Sequence, residues 1–88
     1  MATVKLFGNL RQLAGAREIE LTGENVGDLL YALCNENNSL REAIFEDGRV
    51  KPFVRVVLNG QDIELAHGLN TQVTEPSSIA IFPPIAGG

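Results

Sequence analysis

Cysteine and histidine each occur once in the 88 residues, at Cys34 and His67, and tryptophan is absent. A lone cysteine excludes an internal disulfide framework and fits a reducing cytoplasm, where the protein is expected. One histidine without a second His or Cys near it does not make a metal site, so none is expected. Lysine and arginine number seven and are scattered through the chain as Lys5, Arg11, Arg17, Arg41, Arg49, Lys51 and Arg55. With a net charge of −4, no basic cluster is available for nucleic acid, and a basic protein partner suits the chain better. No apolar run approaches the roughly 20 residues that span a bilayer, and Met1-Ala2-Thr3-Val4-Lys5 lacks a signal-peptide pattern. Phosphate-binding loops, dinucleotide fingerprints and nucleophile elbows are also missing.

What remains is one ordinary globular domain. Hydrophobic residues make up 44% and charged residues 20%, which is too apolar for disorder. A chain this short buries about 60% of its unfolded surface, enough for one modest core and too little for a deep substrate cavity.

Periodicity gives the elements. Thr3–Phe7 alternates as a strand, with Val4 and Leu6 on one face and Lys5 and Phe7 on the other. Leu10 and Leu13 fall in a loop or short turn that ends at Gly15. Arg17–Leu21 alternates again, with Ile19 and Leu21 inward. Asn25 N-caps a helix whose stripe is Val26, Leu29, Leu30 and Leu33, with Asp28 completing a capping-box-like pair. Cys34 borders that stripe and reads as a small core hydrophobe. Ser39-Leu40-Arg41-Glu42 opens a second helical turn by the same signature. Strands follow at Phe53–Leu58, at Gln61–Leu65 with Ile63 and Leu65 inward, and at Ser78–Phe82. Asn59-Gly60 joins the first two as a tight hairpin, because both residues tolerate positive φ.

The order ββα-turn-βββ predicts an α+β fold of the β-grasp, or ubiquitin-like, kind. One main helix lies on one face of a mixed sheet of four or five strands, with the first and last strands paired in the middle. Parity then leaves Phe7, Phe53, Val57 and Phe82 on the face the helix does not cover, and these four are the candidate partner contacts.

The domain occupies residues 1–82, and residues 83–88 form a tail. In Pro83-Pro84-Ile85-Ala86-Gly87-Gly88 two prolines force a stiff, extended exit from the last strand. Gly87 and Gly88 lack Cβ atoms and fit a channel too narrow for other residues. Pro83, Pro84, Ile85, Ala86 and Gly87 are expected to insert into another protein, and the Gly88 carboxylate to be the reactive group. A carboxylate is inert until activated. An ATP-using partner can convert it to an acyl-adenylate, which a sulfur nucleophile or an amine then attacks.

These residues resemble the MoaD/ThiS family of ubiquitin-like sulfur carriers, and within it the small subunits of molybdopterin synthase. The resemblance spans essentially the whole chain. It rests on Val4-Lys5-Leu6-Phe7 with Arg11-Gln12-Leu13-Ala14-Gly15, on Val26-Gly27-Asp28-Leu29-Leu30, on Val57-Leu58-Asn59-Gly60, and above all on Ile81-Phe82-Pro83-Pro84-Ile85-Ala86-Gly87-Gly88. It implies that an E1-like enzyme adenylates Gly88 with ATP and that sulfuration gives a thiocarboxylate. The carrier then docks on a larger catalytic subunit and donates sulfur to a pterin precursor in molybdenum cofactor biosynthesis. The chain itself holds no cofactor in that scheme. Thr74-Glu75-Pro76-Ser77-Ser78 departs from the family's usual acidic, glycine-containing turn. The Asn59-Gly60 hairpin and Gly68-Leu69 loop also resemble carriers for cysteine synthesis and archaeal protein modifiers. Thiamin or tRNA thiolation, and isopeptide bonds through Gly88, therefore stand as alternatives.

Overall fold

Alternation in the first strand fixes the middle of the sheet. In the computed structural model, which describes residues 1–35, 37–74 and 76–84, β1 (Ala2–Leu6) buries Ala2, Val4 and Leu6 and exposes Lys5. A short helix, α1 (Asn9–Ala14), leads to β2 (Glu18–Leu21). The main helix α2 (Val26–Cys34) follows, then α3 (Asn38–Ile44). A small hairpin of β3 (Phe45–Glu46) and β4 (Arg49–Val50) precedes β5 (Arg55–Leu58) and β6 (Gln61–Asp62). Two 3₁₀ turns, Ile63–Leu65 and Gly68–Asn70, lead to β7 (Ser77–Phe82).

The five-stranded sheet runs β2-β1-β7-β5-β6, with β3 and β4 forming a separate pair. β1 and β7 are parallel and central, as expected, and the other pairs are antiparallel. Val4, Leu6, Val56, Ile79 and Ile81 meet Leu29, Leu30 and Leu33 of α2 in one core. This is the β-grasp arrangement.

Asn25 caps α2 as its sequence predicts. Its side chain accepts the Asp28 N–H at 2.8 Å, while the Asp28 carboxylate accepts the Glu24 N–H at 3.1 Å. Asn25→Ala frees an N-terminal amide that the side chain now satisfies. The expected cost is about 1 kcal/mol, or a melting temperature lower by about 4–8 °C in a thermal scan.

Four local expectations are corrected. Leu10 and Leu13 belong to α1, because Leu10 is fully buried and Gly15, at φ 74°, ends the helix in the left-handed region. The cap of α3 is Asn37, which precedes the Ser39 signature. Its Oδ1 accepts the Leu40 N–H at 2.9 Å and its Nδ2 donates to the Leu13 carbonyl at 2.8 Å, so one side chain ties α1 to α3. The strand after β5 stops at Asp62, whose side chain caps a 3₁₀ turn through the Glu64 N–H. Ile63 is buried there, but Leu65 is exposed rather than inward. Phe53 precedes β5 in a turn closed by Val54 N–H donating to the Lys51 carbonyl at 3.0 Å.

The Asn59-Gly60 turn forms as predicted, with φ 48° and 89°. It does more than turn the chain. Asn59 Oδ1 accepts the Ser78 N–H at 2.9 Å, and Asn59 N–H donates to the Ser78 carbonyl at 2.8 Å. The hairpin thereby holds the start of β7, the strand that leads to the tail.

Candidate functional site

β7 ends at Phe82, and the sheet's uncovered face supplies what surrounds it. Phe7 extends the β1–β7 ladder by donating its N–H to the Ile81 carbonyl at 3.2 Å. The Phe7 and Phe82 rings then stack with centroids 4.5 Å apart and planes 16° off parallel. Such a pair is worth about 0.5–1.5 kcal/mol beyond its buried area. Val57 sits opposite Ala80 on the same face, half-buried. Of the four candidate contacts, the structure brings Phe7, Val57 and Phe82 onto one side of the central strands. Phe53 stands apart, because the parity argument needs a strand that begins at 53 and β5 begins at Arg55. Phe53 is 76% exposed.

Cations frame the aromatic pair. The Arg11 guanidinium lies 5.1 Å from the Phe7 ring centroid, and its Nε–H donates to the Leu6 carbonyl at 2.7 Å. Arg55 sits opposite Phe82 in the ladder and pairs with Asp62 at 3.4 Å. Lys5, Arg11 and Arg17 line an open cleft of about 590 Å³ with Leu6, Phe7 and Glu18. Residues that are scattered in sequence thus gather around the base of the tail. Glu18 sits opposite Lys5 and Asp62 pairs with Arg55, so the face carries both signs of charge.

The sequence held part of this signal. Lys5 and Arg55 share the strand parity of Phe7 and Phe82. Arg11 could not be read so, because its approach to Phe7 depends on Gly8 turning the chain into α1. The tail residues Ile85, Ala86, Gly87 and Gly88 lie outside the described residues. Pro83 and Pro84 continue from β7 without strand structure.

Cys34 is buried, and that burial pushes its thiol above the ordinary 9.0, with Arg41 acting weakly the other way. The folded chain therefore keeps its thiol proton to higher pH than the unfolded chain does. The contribution is fully present below pH 9 and is lost as pH rises through the folded value. The melting temperature of the wild type, measured against Cys34→Ala, is expected to fall as pH rises above 9. Alkylation of Cys34 at pH 7 should be slow. His67 lies in a loop, where its N–H donates to Thr71 Oγ1 at 3.0 Å. Among the described residues, no group of three His, Cys, Asp or Glu could hold a metal, and no helix is long and apolar enough to cross a membrane.

A mixed five-stranded sheet with a crossing helix, and a central parallel strand running out to a proline pair, defines a ubiquitin-like β-grasp domain. The ThiS family model matches residues 4–88, and the chain belongs to that family. It is 33% identical to small archaeal modifier protein 3 of Haloferax volcanii, over 97% of this chain and 96% of that protein. It is 25% identical to the sulfur carrier protein CysO of Mycobacterium tuberculosis, over 84% and 83% of the two chains. The solution structure of small archaeal modifier protein 1 from Methanosarcina acetivorans superposes with a TM-score of 0.89. The two are 36% identical, and the match covers 99% of this chain and 95% of that one. The family is thus one of ubiquitin-like sulfur carriers and protein modifiers.

Proposed function

We propose that the chain is a sulfur carrier whose reactive group is the carboxylate of Gly88. The observation that carries the reading is Phe82. It closes the central strand against Phe7, and Pro83 and Pro84 lead directly from it into Ile85-Ala86-Gly87-Gly88.

In this reading an E1-like adenylating enzyme binds the Phe7, Val57 and Phe82 face, with Phe53 at its margin, through an apolar pocket rimmed by carboxylates. Those carboxylates complement Lys5, Arg11 and Arg55. Pro83, Pro84, Ile85, Ala86 and Gly87 thread the terminus into the enzyme's site. A Gly88 carboxylate oxygen attacks the α-phosphorus of ATP, and pyrophosphate leaves. A hydrosulfide-level nucleophile then adds at the acyl carbon and expels AMP, leaving a thiocarboxylate. Both steps need a site from which water is excluded. The domain contributes presentation, and its partners supply the catalysis. The acceptor that best fits the Phe-Pro-Pro and Gly-Gly ending is the large subunit of a molybdopterin synthase. The buried thiol of Cys34 suits the cytoplasm, where such chemistry runs.

A second reading is supported by the 33% identity to an archaeal modifier protein. There a lysine amine attacks the same adenylate, and AMP leaves as an isopeptide bond forms.

Intact-mass analysis after incubation with the cognate activating enzyme, ATP and sulfide distinguishes the outcomes. A sulfur-for-oxygen mass gain at the terminus supports the carrier. Gly-Gly remnants on lysines of other proteins, without that gain, support the modifier. A terminus that stays a free carboxylate under all conditions removes both.

A further inference from the structure

Between β1 and α1 the chain passes through Gly8 at φ 59° and ψ −141°, a conformation that residues with a Cβ rarely adopt. A Cβ at Gly8 would also lie 2.7 Å from Cγ and 3.4 Å from Cδ of Pro83. The first distance is well inside the roughly 3.5–4.0 Å of an ordinary carbon contact. The Pro83 ring therefore rests directly on the Gly8 backbone. This contact follows the two that precede it, the Phe7 N–H to Ile81 carbonyl bond and the Phe7–Phe82 stack. Proline has no N–H with which to extend the ladder, so contact with a bare backbone takes the ladder's place at the root of the tail.

We propose that Gly8 is a positioning residue for the tail. It seats Pro83 and so sets the direction in which Gly88 is delivered to the adenylating site. The proposal rests on the carrier reading above. Its importance follows from position: Pro83 is where the tail leaves the sheet, and errors of about 1 Å at a reacting atom already cost up to about 100-fold.

The test is ATP–pyrophosphate exchange with the cognate activating enzyme, run well below each variant's melting temperature, for Gly8→Ala, Pro83→Ala and the double variant. Pro83→Ala leaves the turn that carries Arg11 over Phe7 in place, so its KM should stay within about twofold while kcat falls about tenfold. Gly8→Ala should show the same fall in kcat, and any rise in its KM reports the strained turn. The double variant should lose no more than the worse single, because both remove one contact. A merely destabilised domain would keep its kcat at saturation. Pro83→Ala introduces no backbone strain, so it decides the matter even if Gly8→Ala does not fold. Full kcat in Pro83→Ala, with the wild type adenylated, overturns this inference alone. A wild type that is never adenylated overturns the carrier reading beneath it. A nuclear Overhauser effect between Gly8 Hα and the Pro83 ring is expected whichever way the chemistry falls, and its absence removes the contact itself.

Discussion

Deleting Gly88 leaves a domain that melts with the full-length chain and is no longer adenylated. The first half of this result follows from where the core ends. The buried residue nearest the C-terminus among those described is Ile81, and nothing from Phe82 to Pro84 belongs to the core. The second half follows from reach. Removing one residue withdraws the carboxylate by about 3.3 Å, while reacting atoms must approach to about 3–3.5 Å. A loss of about three orders of magnitude in kcat/KM for pyrophosphate exchange is expected. Affinity for the activating enzyme, measured by calorimetry, should change little, because the aromatic face is intact. Gly88→Ala refines the result. It keeps the reach and adds one methyl group, so its loss reports how narrow the partner's channel is. Retained sulfuration or conjugation without Gly88 would falsify the Gly88 carboxylate as the reactive group.

The sheet was legible because its central strands are short, alternating and apolar. Val4 and Leu6, and Ile79 and Ile81, read as core from parity alone, and Asn59-Gly60 marked its hairpin by turn chemistry. Where the reading failed, a contact distant in sequence decided the local structure. Asn37 outcompetes Ser39 as a cap because its amide also reaches the Leu13 carbonyl, 24 residues away. The strand after Asn59-Gly60 ends early because the Asp62 carboxylate turns the chain into a 3₁₀ helix, which exposes Leu65. The candidate site divides in the same way. Phe7 and Phe82 follow from parity, whereas Arg11 over Phe7 and Pro83 against Gly8 depend on the turn that Gly8 makes. Charge was the least legible property. A net value of −4 does not reveal that Lys5, Arg11 and Arg17 line one cleft beside Phe7, while Arg55 stands opposite Phe82.

Phe82→Ala is expected to raise KM for the activating enzyme about 30-fold while kcat at saturation stays near the wild-type value. Aromatic anchors at the centre of an interface typically cost about 2 kcal/mol or more when truncated, which is this factor in affinity. The residue is 37% exposed, so the domain itself loses mainly the stack on Phe7, and a melting temperature lower by only a few degrees is expected. Phe7→Ala should act in the same direction, and the two losses should fall short of additive because the rings are one unit. Arg11→Ala should weaken binding less, and it should flatten the salt dependence of KM, because it removes a rim charge that steers an acidic partner. Phe53→Ala sets the boundary of the surface. Phe53 lies in the turn before β5, so an unchanged KM confines the contact to the ends of β1 and β7, whereas a loss like that of Phe82 extends it to the β4–β5 turn. The three regions then separate by what they move: the aromatic face sets KM, the Gly8 seat sets kcat, and Gly88 determines whether there is a reaction at all. A Phe82→Ala carrier with wild-type KM would mean that the partner grips the tail alone. In that case the Phe7–Phe82 stack would serve only to close the sheet.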